Sequence, residues 1–225
     1  MIKIDKINMD EALRYMGYNK NIDIDNILPI LDECEKKLLS VIKPRFIYKA
    51  ADIERAPENV TRVKNSSIEF KSNSLYSHIE GCDQAIFLAA TLSNDVDRLI
   101  SEYQVKNMTY ALITDCMASA CIEQVCNQAE ELIKPNLEGK YMTWRFSPGY
   151  GDLSIEYQKD FVKLTDSARK IGLTLNKNNI LIPRKSVTAI IGVSDKPIPR
   201  KRQGCAVCNM NKVCQFRKRG EHCGF

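Results

Sequence analysis

The residues of this 225-residue chain that could do chemistry fall in two stretches. The first is Arg145-Phe146-Ser147-Pro148-Gly149-Tyr150-Gly151-Asp152. Pro148 and Gly149 suit the two central positions of a type II turn, the second of which needs a positive φ that glycine supplies without steric cost. Such a turn lets backbone amides come close to a ligand. Arg145 on one side offers a planar fork for a carboxylate. Tyr150 on the other offers an aromatic face and a hydroxyl. A small zwitterion with a carboxylate, an aromatic base and a positive centre suits these groups. Taken alone, the same residues fit a hairpin turn with a packed tyrosine equally well.

The second stretch is Cys205-x2-Cys208-x5-Cys214-x8-Cys223, behind the basic, proline-containing linker Lys196-Pro197-Ile198-Pro199-Arg200-Lys201-Arg202. Two thiolates two residues apart can grip one metal from a tight turn, and two more complete a tetrahedral set. Four cysteines can equally hold an iron–sulfur cluster. The spacing matches neither a standard zinc finger nor the usual ferredoxin runs, so zinc, an iron–sulfur cluster and spare thiols in a tail all stay open. His222 is a further donor in the same segment. The other five cysteines are Cys34, Cys82, Cys116, Cys121 and Cys126. Cys116, Cys121 and Cys126 recur every five residues, a net step of about 140° around a helix, so they share no face. Buried free thiols in a reducing cytosol are expected.

Composition narrows the classes. Hydrophobic residues make up 44% and charged residues 27%, the balance of a globular chain and not of a disordered one. The sequence has no run of 18 apolar residues, and Met1-Ile2-Lys3-Ile4-Asp5 lacks the apolar core of a secretion signal. The expectation is a cytoplasmic protein with no membrane span. Two histidines, His78 and His222, leave almost no room for a histidine triad or a multi-histidine metal site. The net charge of +5 is unevenly spread: from Arg200 onward seven basic residues face one acid, Glu221, so residues 1–199 carry about −1. A nucleic-acid reading of the body has no support. For the tail, a small basic knuckle that binds nucleic acid is one reading. Its single aromatic, Phe216, favours a solvated tail or a docking surface for an acidic partner instead.

These residues need elements to position them. Apolar spacing, caps and breakers predict helices over Asp10–Met16 (stopped by Gly17), Asp25–Ile42 (ended by Pro44), Ser74–His78, from the caps at Thr91–Asp95 to Tyr103, and from Ser154 or Ile155 to Leu164. The longest helix is predicted from Asn107 to Lys134, before Pro135. Its middle is rich in small residues, which lets it sit close to a sheet or a ligand. Strands are predicted at Arg45–Lys49, Ser67–Phe70, Gln84–Ala90, Met142–Phe146, Ile180–Ile182 and Ser186–Val193. There is no clean βαβ alternation and no glycine-rich phosphate loop. The predicted class is α+β: a mixed, partly antiparallel twisted sheet, a long central helix with flanking helices, and a short Cys-rich C-terminal tail. The predicted body is 1–195, with 1–70 as its N-terminal helical and strand part, and the tail is 196–225.

In three ordered places the sequence resembles the reactivation domain of cobalamin-dependent methionine synthase. These are the helix Asp115-x7-Glu123, the Arg145-to-Tyr150 signature, and Leu181-Ile182-Pro183-Arg184-Lys185-Ser186-Val187-Thr188-Ala189-Ile190-Ile191-Gly192. The similarity spans about residues 75–193, and the first 70 residues look like stand-alone clostridial-type versions that serve a truncated synthase. The resemblance implies S-adenosylmethionine (AdoMet) as ligand and cobalamin, held by a partner protein, as methyl acceptor. It also implies reductive methylation of oxidised cobalamin, with the corrin-binding domain of methionine synthase as partner and a flavodoxin- or ferredoxin-like electron donor. Another corrinoid methyltransferase is the alternative partner. No protein nucleophile or acid–base pair is needed, so no catalytic residue is assigned. By the resemblance Arg145 holds the methionyl carboxylate, Tyr150 lies by the sulfonium or ribose, Pro148 and Gly149 shape the backbone at the adenosyl moiety, and Glu123 is an acidic ligand-side residue. The family's acidic residue just before the signature has an offset counterpart in Glu138, and its aspartate near the domain start has no identified equivalent.

Overall fold

The computed structural model describes residues 2–18 and 25–198. Cys205, Cys208, Cys214, Cys223 and His222, with every tail reading attached to them, lie outside the described residues.

A six-stranded sheet forms the middle layer, in the order β3-β2-β1-β4-β8-β5. Its strands are β1 (Arg45–Ala56), β2 (Val60–Val63), β3 (Glu69–Lys71), β4 (Gln84–Thr91), β5 (Tyr141–Met142) and β8 (Ser186–Ser194). β6 (Thr174–Leu175) and β7 (Leu181–Ile182) pair separately. The α+β class predicted from sequence is the class found, and the antiparallel character extends to every strand pair among the described residues.

β4 shows why the sheet is covered on both faces. It is almost wholly buried, and its alternate residues go to different cores. Ile86, Leu88 and Ala90 join one core with Ile191 and Val193 of β8. Ala85 and Phe87 join a second core with Phe70, Phe146 and Phe161. The first core is covered by α1 (Met9–Tyr15), α2 (Leu28–Val41), α4 (Asn94–Lys106) and α5 (Met108–Ile133). On the other face lie α3 (Asn73–His78), α6 (Gln158–Thr165) and α7 (Ser167–Ile171).

α5 is the axis of the first layer. Asn107 caps it by accepting from the Thr109 amide at 3.0 Å. Half of its 26 residues are buried, on more than one face, because α1, α2 and α4 pack around it while it lies on the sheet. This explains the cysteine spacing: Cys116, Cys121 and Cys126 point in different directions, and all three are buried free thiols, as are Cys34 and Cys82.

The predicted strand over Met142–Phe146 is reduced to Tyr141–Met142 plus one bridge, Phe146 to Ile190. Met142 stands opposite Val193 while Phe146 stands opposite Ile190, so four steps on one side match three on the other. The extra residue makes a β-bulge, and a one-residue slip turns the following side chains to the opposite face. Met142 packs against the α5 core, whereas Trp144 and Phe146 go to the far core. Arg145, between them, reaches α5.

Candidate functional site

A cleft of about 860 Å³ opens along one side of α5. The helix lines it with Ala120 and the polar Glu123, Gln124, Asn127 and Glu130, spaced so that each turn adds a residue to the same side. Facing it are Trp144, Arg145, Ser147 and Tyr150 from the bulge and turn, Ser186 to Thr188 from β8, and Gln158 from α6. α1 closes one side with Asn8, Glu11, Arg14 and Tyr15.

Arg145 is the centre of the charge arrangement. Its Nη2 donates to Glu123 Oε2 and Asn127 Oδ1, each at 2.9 Å, and its Nη1 donates to Glu130 Oε1. Its side chain is 19% exposed. Burial works against its charge, and the surrounding Cys126, Glu130 and Glu123 more than offset this and raise its pKa. Cys126, wholly buried behind this cluster, is pushed up to about 12 by burial against the opposing pull of Arg145.

The turn forms as its sequence predicts. The Tyr150 amide donates to Ser147 O at 3.0 Å, and Gly149 has φ +95°. Pro148 is buried and Gly149 is exposed. Neither is among the residues lining the cleft. They bend the chain so that Ser147 and Tyr150, on either side of them, do line it. Tyr150 is 44% exposed, with its ring edge-on to Phe146 at 5.9 Å. The aromatic series continues through Trp144 to His78, whose Nε2 donates to Trp144 O at 2.8 Å.

Asp152 anchors the far end of the turn on α3. It accepts from Ser72 Oγ (2.5 Å), Asn73 N (2.8 Å) and Ser74 N (2.9 Å). The same junction explains Gly151, where a Cβ would stand 2.4 Å from Ser74 Oγ. The β8 side is held by Lys185, whose Nζ donates to Asp115 O and Ser119 Oγ at 2.9 Å and pairs with Asp115 Oδ1.

The structure therefore brings Glu123, Arg145 and Tyr150 to one cleft. Glu138 it places elsewhere: α5 runs into the turn Lys134–Leu137, and Glu138 follows it, exposed and left-handed at φ +48°. The acid that does meet Arg145 beside Glu123 is Glu130, which was not singled out from sequence. Its signal was present, because positions 123, 127 and 130 share a helix face. The helix α1 is predicted over Asp10–Met16 and found at Met9–Tyr15, but its role as a wall of the cleft is not legible in the sequence, for a different reason. Its place depends on contacts such as Asn8 N to Gln124 Oε1 (2.9 Å) and Gln124 Nε2 to Lys6 O (3.0 Å), which no local pattern announces. Tyr15 there has its phenol raised first by burial and then by the Glu123 carboxylate. Arg14 is paired with Glu11.

Among the described residues no group of three or more His, Cys, Asp or Glu side chains is arranged to hold a metal ion, and no helix is long and apolar enough to cross a membrane.

No protein-family model matches the sequence, and no curated protein matches it. Among solved structures, the fold is similar to one described as the MetH reactivation domain bound to AdoHcy (S-adenosylhomocysteine), with a TM-score of 0.61 and 13% sequence identity. The match covers 96% of this chain and 82% of that one. At that identity the likeness establishes a shared fold.

Proposed function

We propose that the chain binds AdoMet in the α5 cleft and supports reductive methylation of oxidised cobalamin held by a partner protein, as a stand-alone, clostridial-type counterpart of the reactivation domain. The observation that carries this reading is the convergence of Arg145, Glu123 and Tyr150 on one cleft, in a fold shared with a domain described with AdoHcy bound.

In this reading Arg145 holds the methionyl carboxylate through charge-assisted hydrogen bonds. Among the described residues three of its five N–H donors are engaged, which leaves donors for a ligand. Tyr150 lies against the sulfonium or ribose side. The turn at Pro148 and Gly149 sets the path of Ser147 and Tyr150 along the adenosyl moiety. In the methyl transfer the sulfur–methyl bond breaks, its electron pair stays on sulfur to give AdoHcy, and the methyl group passes to the partner's cobalt after one-electron reduction by a separate donor. No proton moves, so the cleft needs no acid–base pair. The chain supplies proximity, orientation and charge.

The partner we infer is the corrin-carrying domain of a methionine synthase, and the electron donor is a flavodoxin- or ferredoxin-like protein. Cys205, Cys208, Cys214 and Cys223 supply four thiolates, the donor set that zinc or an iron–sulfur cluster requires.

The test is an anaerobic assay with full-length chain, AdoMet, a chemical one-electron reductant, and a cobalamin-loaded methionine synthase that lacks its own reactivation domain. The expected result is growth of the methylcobalamin spectrum only when the chain is present. A spectrum unchanged by the chain would overturn the proposal.

A further inference from the structure

Arg145 points at α5 because its two neighbours point the other way. Successive side chains of an extended segment alternate between faces. Trp144 and Phe146 pack on the far core, so Arg145 between them meets the helix acids. His78, the last residue of α3, holds both neighbours. Its ring centroid lies 4.2 Å from that of Trp144 and 5.0 Å from that of Phe146. Its Nε2 bonds Trp144 O at 2.8 Å, and because a carbonyl only accepts, that nitrogen carries the proton.

The bulge gives this bond its role. β8 bonds to Thr143 and to Phe146, on either side of the extra residue. The Trp144 carbonyl accepts from His78 and, at 3.1 Å, from Thr143 Oγ1. That hydroxyl itself accepts from Gly192 N at 2.8 Å. A line of hydrogen bonds thus runs from β8 through Thr143 and Trp144 to α3. The start of α3 holds the other end of the segment, because Asp152 accepts from Ser72, Asn73 and Ser74. One short helix therefore grips the chain just before Arg145 and just after Tyr150.

We propose that His78 is a positioning residue for Arg145: its N–H on the Trp144 carbonyl locks the bulge that turns the guanidinium into the cleft. His78 is 7% exposed and does not line the cleft, so it acts only through its neighbours. Without the lock the bulge can shift toward regular pairing, which turns Arg145 away from Glu123 and Glu130. The consequence for binding rests on the AdoMet reading above, while the lock itself involves no ligand.

Two measurements on the full-length chain test this. The first is a denaturant-unfolding cycle of wild type, His78→Phe, Arg145→Ala and the double variant, followed by the fluorescence of Trp144, the only tryptophan. Phenylalanine keeps a ring and removes the donor. Arg145→Ala is expected to cost less stability in the His78→Phe background than in wild type. Additive effects would overturn the coupling. The second is calorimetric titration of AdoMet into wild type, His78→Phe and His78→Gln, since glutamine carries an N–H at a similar reach. His78→Phe is expected to bind about tenfold more weakly than wild type, and His78→Gln to stay within about threefold of it. Unchanged binding by His78→Phe, or a loss in His78→Gln as large as in His78→Phe, would overturn the proposal. No binding by any of the three would overturn the AdoMet reading instead, and the unfolding cycle would then decide the role of His78.

Discussion

Arg145 Nη2 stands 2.9 Å from Glu123 Oε2, across 22 residues of chain, and this pair joins the bulged strand to α5. With Glu130 on the other nitrogen, the guanidinium acts as a cross-brace as well as a ligand anchor. Removing it leaves two carboxylates facing each other from one helix side. Arg145→Ala is therefore expected to lower stability by about 1–3 kcal/mol, a value kept below that of a fully buried pair because both acids are partly exposed. Denaturant unfolding checks this, with Arg145→Lys expected to recover part of the loss through charge alone.

Asp152 gives a pH prediction. The desolvation of this exposed side chain works against its charge, but the hydrogen bonds from Ser72 Oγ, Ser74 N and Asn73 N outweigh it and hold the carboxyl well below the usual carboxylate range. A carboxyl depressed by folding contributes its full stabilisation above its unfolded pKa, about 4, and loses it as pH falls through that value and then through the lower folded one. Asp152→Ala is expected to cost about 1–2 kcal/mol at pH 7. The difference from wild type should close progressively below about pH 4. Urea midpoints from pH 7 down to pH 2 measure both effects, and a pH-independent difference would contradict the assignment.

Gly192 tests the bulge. Its amide donates to Thr143 Oγ1 at 2.8 Å, and its carbonyl accepts from Thr143 N at 2.9 Å, so a threonine side chain replaces a missing ladder partner. A Cβ at Gly192 would lie 2.7 Å from Cys82 Sγ and 3.2 Å from Thr143 Cγ2. Gly192→Ala is expected to destabilise by about 1–3 kcal/mol through overpacking, read as a shifted denaturant midpoint. Because the clash involves Thr143, two residues before Arg145 on the bulged segment, weaker ligand binding should accompany it.

Thiol chemistry tests the burial of α5. Burial pushes Cys121 and Cys126 up to about 12, and only the thiolate is an effective nucleophile. At pH 8 iodoacetamide should leave both unlabelled in the native protein and label both in denaturant, as mapped by peptide mass spectrometry. Fast native labelling of either would show that α5 is not packed as described.

Much of this fold was legible in the sequence, for reasons visible at particular residues. α5 was marked by small residues and by Pro135, and it runs within a residue of the expected limits. β4 and β8 were marked by apolar runs that fill both cores. The far half of β1, Ala50 to Ala56, and the whole of β2 intersperse charged and polar residues with only a few apolar ones, and no apolar run announced them. α7 has five residues, too few to show a period. In the site, Arg145 and Tyr150 stood out because a Pro-Gly turn separates an arginine from a tyrosine. The bulge that aims Arg145 at α5 is a register property of two strands, and the α1 wall comes from a segment more than 100 residues away. Neither is written in a local window.

The measurement closest to the heart of the proposal is calorimetric titration of AdoMet into anaerobically purified full-length protein, beside Arg145→Ala. Saturable one-to-one binding to the wild type, weakened at least tenfold in the variant, is the expected result. Equal binding by both proteins, or none by the wild type, would contradict the placement of the ligand carboxylate on Arg145 in the α5 cleft.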